Sequence, residues 1–153
     1  MADSNSNVEE ILNFAIDREQ EAHDFYIDLA RKTAQPDMKQ IFTHFANEEL
    51  GHKKMLSSIK EGKKLLPRPG KVLDLKLAEY LVKVDPSSED LDYQQALILA
   101  MQREKAAFRL YTDIAEATDD EEMKRTFLAL AQEEAKHKLR FEVEYDENIL
   151  IEN

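Results

Sequence analysis

AIDREQEAHDFY, residues 15–26, reads as an amphipathic helix that carries a carboxylate on its apolar side. Leu12, Ala15, Ala22, Tyr26 and Leu29 recur at helical steps and form the row that a core would cover, and Glu19 stands in that same row. A charge placed among core positions needs a counter-charge or a proton, because burial otherwise disfavours the ionised form by several kcal/mol.

The stretch is not alone. Set against itself at an offset of 85 residues, the chain aligns 12–53 with 97–138 without a gap, and 17 of those 42 positions are identical. Chance would give roughly one in sixteen, so the sequence holds an internal repeat. Residues 15–26 correspond to AMQREKAAFRLY (100–111), and Glu19, Ala22 and Tyr26 find their partners in Glu104, Ala107 and Tyr111. FANEELGHKKML (45–56) likewise corresponds to LAQEEAKHKLRF (130–141), pairing Glu49 with Glu134 and His52 with His137.

Each copy reads as two long helices joined by a short turn, which makes the helices antiparallel neighbours. Ser6 with Glu9 offers a capping box, the first helix runs to about Ala34, Pro36 suits the first turn of the second, and Gly62 ends it. Ser87 or Ser88 is expected to start the third helix, which runs to about Ala117, and Thr118 with Glu121 to cap the fourth. Between the copies, Pro67, Pro69 and Gly70 forbid a continuous helix, while VLDLKLAEYLVK is expected to form a short one. The expectation is a single all-α domain over residues 1–153. It is a four-helix bundle of two repeated hairpins, about 7–62 and 88–150, with one long crossover at about 63–87.

Composition agrees and excludes. Only 3 Gly and 4 Pro interrupt a chain rich in helix formers. No apolar run approaches the ~20 residues needed to span a bilayer, and MADSNSNVEE lacks the features of a signal peptide, so a soluble cytoplasmic protein with no membrane partner is expected. With no Cys there are no disulfides, thiolate ligands or thiol nucleophile. A net charge of −11 without Lys/Arg clusters argues against nucleic acid as a partner.

The remaining helices repeat the opening anomaly. Glu49 and His52 interrupt the apolar row of the second helix, Glu104 that of the third, and Glu134 and His137 that of the fourth. All six point inward at one depth, and the four carboxylates among them would repel and desolvate unless protonated or neutralised, which two divalent cations would do. Glu and His three apart share a helix face and reach one ion. One Glu from each of two helices plus Glu-x-x-His from the other two is the di-iron or di-manganese ligand set of ferritin-like bundles.

At these four motifs the sequence resembles the rubrerythrin group of the ferritin-like superfamily, over nearly the whole chain. The resemblance implies that Glu49 and Glu134 bridge two iron ions, that Glu19 and Glu104 are terminal ligands, and that His52 and His137 each hold one ion. It also implies that the Tyr26 and Tyr111 hydroxyls bond a metal-bound carboxylate from a neighbouring helix. Glu48 and Glu133 stand where relatives place an acid that receives a histidine N–H; a solvated surface Glu is the alternative. His23 and His44 have no histidine counterpart in the repeat and read as ordinary. Rubrerythrins usually add a Cys-rich rubredoxin domain. Its absence implies an external electron donor such as a rubredoxin-type protein. Many also carry a second Glu on the third helix, where this chain has Met101 and Ala107 around Glu104. That leaves a symmetric site of the kind seen in bacterioferritin-like proteins.

The implied activity is reduction of hydrogen peroxide to water at two iron ions, with Mn or Zn able to occupy the same donors. Rival readings are a ferroxidase using dioxygen or peroxide, an iron-storage or iron-delivery protein, and a purely structural bundle. A homodimer is the expected assembly.

Overall fold

The computed structural model describes residues 4–66, 75–82 and 91–147. Four helices follow in order: α1 (Ser4–Lys32), α2 (Pro36–Glu61), α3 (Tyr93–Glu116) and α4 (Glu121–Tyr145). No strand occurs among the described residues. α1 lies along α2 and α3 along α4, and the two hairpins approach each other most closely through α1 and α3. The expected four-helix bundle of two hairpins is the observed architecture. None of the described helices is long and apolar enough to cross a membrane.

The helix ends show which local signals prevailed. Pro36 opens α2 as expected, since proline at the first helical position gives up a donor that would have no intrahelical acceptor. α1 begins at Ser4, so Ser6 lies within the helix rather than capping it, and it ends at Lys32. α3 is capped by Asp92, whose side chain accepts from the Gln95 N–H while Gln95 returns a bond to the Asp92 N–H. Ser87 and Ser88 lie outside the described residues. α4 is capped by Asp120, which accepts from the Met123 N–H. Thr118, expected at that cap, is buried and accepts from the Asp120 N–H instead, so it shapes the turn one step earlier.

At the end of α2, Gly62 keeps a right-handed conformation and Lys63 takes the positive φ of 50°. Of the short helix expected over VLDLKLAEYLVK, residues 72–74 and 83 lie outside the described residues, and the described part holds a 3-10 turn at Leu77–Tyr80. Tyr80 is buried there, donating its hydroxyl to Asp113 of α3 beneath the Arg109 guanidinium. Pro67, Pro69 and Gly70 fall outside the described residues.

The apolar interior divides in two. One cluster joins Ile11 and Leu12 with Leu56, Ile114 and Phe127, and the other joins Tyr26 and Leu29 with Phe42, Leu97 and Phe141. The start of α1 thus shares a core with the end of α2, and the end of α1 with the start of α3. The crossover therefore carries the chain from one end of the bundle to the other.

Candidate metal centre

Between the two apolar clusters lies a polar layer. Glu19 follows Ala15 and precedes Ala22 in the buried row of α1, and Glu104 takes the equivalent place between Ala100 and Ala107 of α3. Glu49 and His52 sit between Ala46 and Leu56 of α2, and Glu134 and His137 between Ala131 and Phe141 of α4. Helical periodicity brings all six to one level, and each is between 1% and 4% exposed.

Their polar atoms converge on two overlapping groups. Glu19, Glu49, His52 and Glu134 form one, and Glu49, Glu104, Glu134 and His137 the other, with the offered atoms of each group within 4.8 Å of one another. Glu49 and Glu134 belong to both. His52 Nδ1 is 2.9 Å from Glu134 Oε1 and 3.6 Å from Glu19 Oε2, and His137 Nδ1 is 3.2 Å from Glu49 Oε1 and 3.6 Å from Glu104 Oε1. Each group draws donors from both hairpins.

The outward edges of the ligands are held. Tyr26 of α1 donates to Glu104 Oε1 of α3, and Tyr111 of α3 donates to Glu19 Oε1 of α1. His52 Nε2 meets Glu133 of α4, and His137 Nε2 lies 3.3 Å from Glu48 of α2. The rings thus turn Nδ1 inward and give Nε2 to a carboxylate of the other hairpin, the arrangement that orients metal-ligating imidazoles. Phe45 stacks on the His137 ring with centroids 4.0 Å apart. His44, read from the sequence as ordinary, is exposed, but its Nε2 lies 2.6 Å from Glu48 and so touches the carboxylate that steadies His137. His23 pairs only with the adjacent Asp24.

The inward edges are left unsatisfied. Glu19 Oε2, Glu49 Oε1, Glu104 Oε2, Glu134 Oε1, His52 Nδ1 and His137 Nδ1 are all buried without a hydrogen-bond partner. One orphaned atom would be unusual in a folded protein; six facing one another define a space for cations. Their protonation tells the same story. Burial, then the Glu134 and Glu19 charges, pushes Glu49 well above the usual carboxylate range. Burial and the proximity of the other acids raise Glu104 and Glu134 to about 8. Burial opposes the charge on His52, yet the facing Glu134 and Glu19 carboxylates push it up to about 11. Without metal the layer keeps protons that a cation would displace. Oxygen and imidazole donors of this kind suit iron, manganese or zinc.

A pocket with about 600 Å³ of empty space, counted out to its open mouth, reaches this layer from the α1/α3 face. Glu19, Glu49, Glu104 and Glu134 lie at its floor, Ala106 and Leu110 on its wall, and Arg18, Arg103 and Tyr80 around it. Sequence reasoning passed over the two arginines, although they are one another's counterparts in the repeat. A second groove, on the α2/α4 face, reaches His52 and Glu133.

Comparison with known proteins now has a geometry to meet. The rubrerythrin family model matches residues 10–145. A hypothetical protein from Pyrococcus furiosus, known as a solved structure, resembles this chain with a TM-score of 0.70 and 27% identity, covering 91% of this chain and 88% of that one. No curated protein matches the sequence.

Proposed function

We propose, from the premise that this chain belongs to the rubrerythrin family, that the polar layer holds two iron ions and that the protein reduces hydrogen peroxide to water with electrons from an external donor. The observation that carries this is the pair of four-residue groups sharing Glu49 and Glu134, with six buried atoms turned inward and unpartnered.

In this reading Glu19 and His52 would help to hold one ion, Glu104 and His137 the other, and Glu49 and Glu134, which belong to both groups, would serve both. Two iron ions held there would supply two-electron reduction of an O–O bond, in which peroxide, two electrons from the external donor and two protons yield two waters. The chain's own work is positional. Tyr111 and Tyr26 fix one oxygen of each terminal carboxylate, leaving the other to face inward. Glu133 and Glu48 fix the imidazole rings. The apolar clusters above and below close the layer to water along the bundle axis and leave it open at the side. A rubredoxin-type protein fits the donor's role, since no Cys is present in the chain to hold a redox cluster.

The symmetric ligand set, with one Glu on each of α1 and α3, also favours a second reading: a ferroxidase that oxidises Fe(II) and releases it to storage. Loading the protein anaerobically with Fe(II) and following oxidation by stopped-flow absorbance separates the two. Two Fe per chain and much faster oxidation by hydrogen peroxide than by dioxygen support the peroxidase. Comparable or faster reaction with dioxygen turns the assignment to the ferroxidase, and no stoichiometric iron refutes both.

A further inference from the structure

The pocket on the α1/α3 face sets two arginines, Arg18 and Arg103, beside the four buried carboxylates of the polar layer. Arg18 and Arg103 come from equivalent positions of the two repeats and both line it. Each guanidinium lies over an aromatic ring, Arg18 at 4.6 Å from the Phe14 centroid and Arg103 at 4.9 Å from that of Phe25, which holds the planar groups in place. The one carboxylate at the mouth, Glu21, is exposed and bonds Arg18 at 2.9 Å. Arg18 Nε is buried without a hydrogen-bond partner. Ala106, Ala107 and Leu110 add apolar lining to the same pocket.

We propose that this pocket is the port through which the small reactant reaches the metals, and that Arg18 and Arg103 form a collar selecting small anions and strong hydrogen-bond acceptors while repelling free cations. The inference rests on the dinuclear reading above and goes beyond it by assigning the route and the two residues that set its selectivity. Peroxide and azide, ligands of a few heavy atoms, fit within its volume. The arginines act on the approaching ligand and touch none of the six ligating residues through any hydrogen bond or ion pair among those described. Their removal should consequently change affinity for the ligand and leave the metals in place.

The test uses azide as the probe, titrated by visible absorbance into the oxidised, iron-loaded protein. Replacing both arginines (R18Q/R103Q) is expected to raise the azide Kd about tenfold at low salt, with the gap closing as salt is added. Iron content should stay at the wild-type value. The double variant K64Q/R125Q, which removes two cations from the α2/α4 groove, should leave the Kd unchanged, and the charge-keeping R18K/R103K should recover most of the affinity. Ala106→Phe, which narrows the wall without altering charge, should slow azide association and serves if the arginine variants fold poorly. Unchanged affinity in R18Q/R103Q with iron retained overturns the port alone, as does an equal loss in K64Q/R125Q. Wild-type protein that binds no iron overturns the dinuclear reading, and the port falls with it.

Discussion

The metal-free protein should become less stable as pH rises from 5 to 8, the reverse of what ordinary carboxylates impose. Burial and neighbouring acids hold Glu104 and Glu134 at about 8 against an ordinary value of 4.5. The folded state therefore keeps protons that the unfolded chain sheds. The stability tied to those neutral forms is fully present below the ordinary value and is lost as pH climbs through about 8. Counting the adjacent Glu104 and Glu134 as retaining a single shared proton, the loss between pH 5 and 7 is about 2.5 kcal/mol. Glu19 and Glu49, also raised, act in the same direction, and His52 at about 11 continues the decline at higher pH. At a urea slope of roughly 2 kcal/mol/M, the unfolding midpoint should fall by about 1 M over those two pH units. The assay is urea titration of chelator-treated protein at pH 5, 6, 7 and 8, followed by circular dichroism. Glu104→Gln should flatten the trend, and saturating Mn(II) should invert it, because the ions displace the same protons. A metal-free midpoint that stays level or rises from pH 5 to 8 refutes the reasoning.

Other outcomes follow from the same geometry. Glu49→Gln should lower the bound metal from two ions per chain to fewer than one, since Glu49 serves both groups, whereas Glu19→Gln should lose only one ion; elemental analysis of the purified variants decides. Glu133→Gln, which weakens the acceptor for His52 Nε2, should reduce affinity for metal about 10-fold or more, read by competition with a chelating dye. Tyr111→Phe should retain both ions while lowering metal-free stability by about 1–2 kcal/mol in urea titration, because Glu19 Oε1 loses its donor inside the core. Lys63→Gly should raise stability by roughly 0.5–1 kcal/mol in the same titration, since a side chain now occupies a left-handed position.

What the sequence made legible was whatever depends on periodicity. Four apolar rows at helical spacing predict four helices, and a Glu inside such a row stands out because few environments tolerate it. The repeat then removes the coincidence that a lone Glu-x-x-His would carry. Capping was harder, because several candidates compete over a few residues. At the start of α4 both Thr118 and Asp120 can accept an N–H, and the choice went to the residue whose neighbour Thr118 could bury. In the crossover, the apolar pattern around Leu77 and Tyr80 reflects packing on α3 rather than a helical face, so a row of core contacts imitated a helix. The pocket could not be read at all, since its walls come from two hairpins whose separation no local pattern encodes. His44, read as ordinary, is exposed and pairs with Glu48 one turn along, the carboxylate that also meets His137 of the opposite hairpin.

The polar layer links the two hairpins, alongside the two apolar clusters that both of them build. Their helix backbones approach mainly at α1 and α3, while a set of polar connections in the layer runs from one hairpin to the other: Tyr26 to Glu104, Tyr111 to Glu19, His52 to Glu133 and Glu134, His137 to Glu48 and Glu49. A cation ligated by these residues binds only the docked arrangement, so binding must stabilise docking by RT ln(1 + [M]/Kd), about 4 kcal/mol at a thousandfold excess over Kd. Amide hydrogen exchange tests the location as well as the size of that effect. Adding Mn(II) should slow exchange in all four helices around the layer, at residues near Glu19, Glu49, Glu104 and Glu134 alike. Protection confined to one hairpin would mean that the ion is held within that hairpin, and the shared roles given to Glu49 and Glu134 would then be wrong.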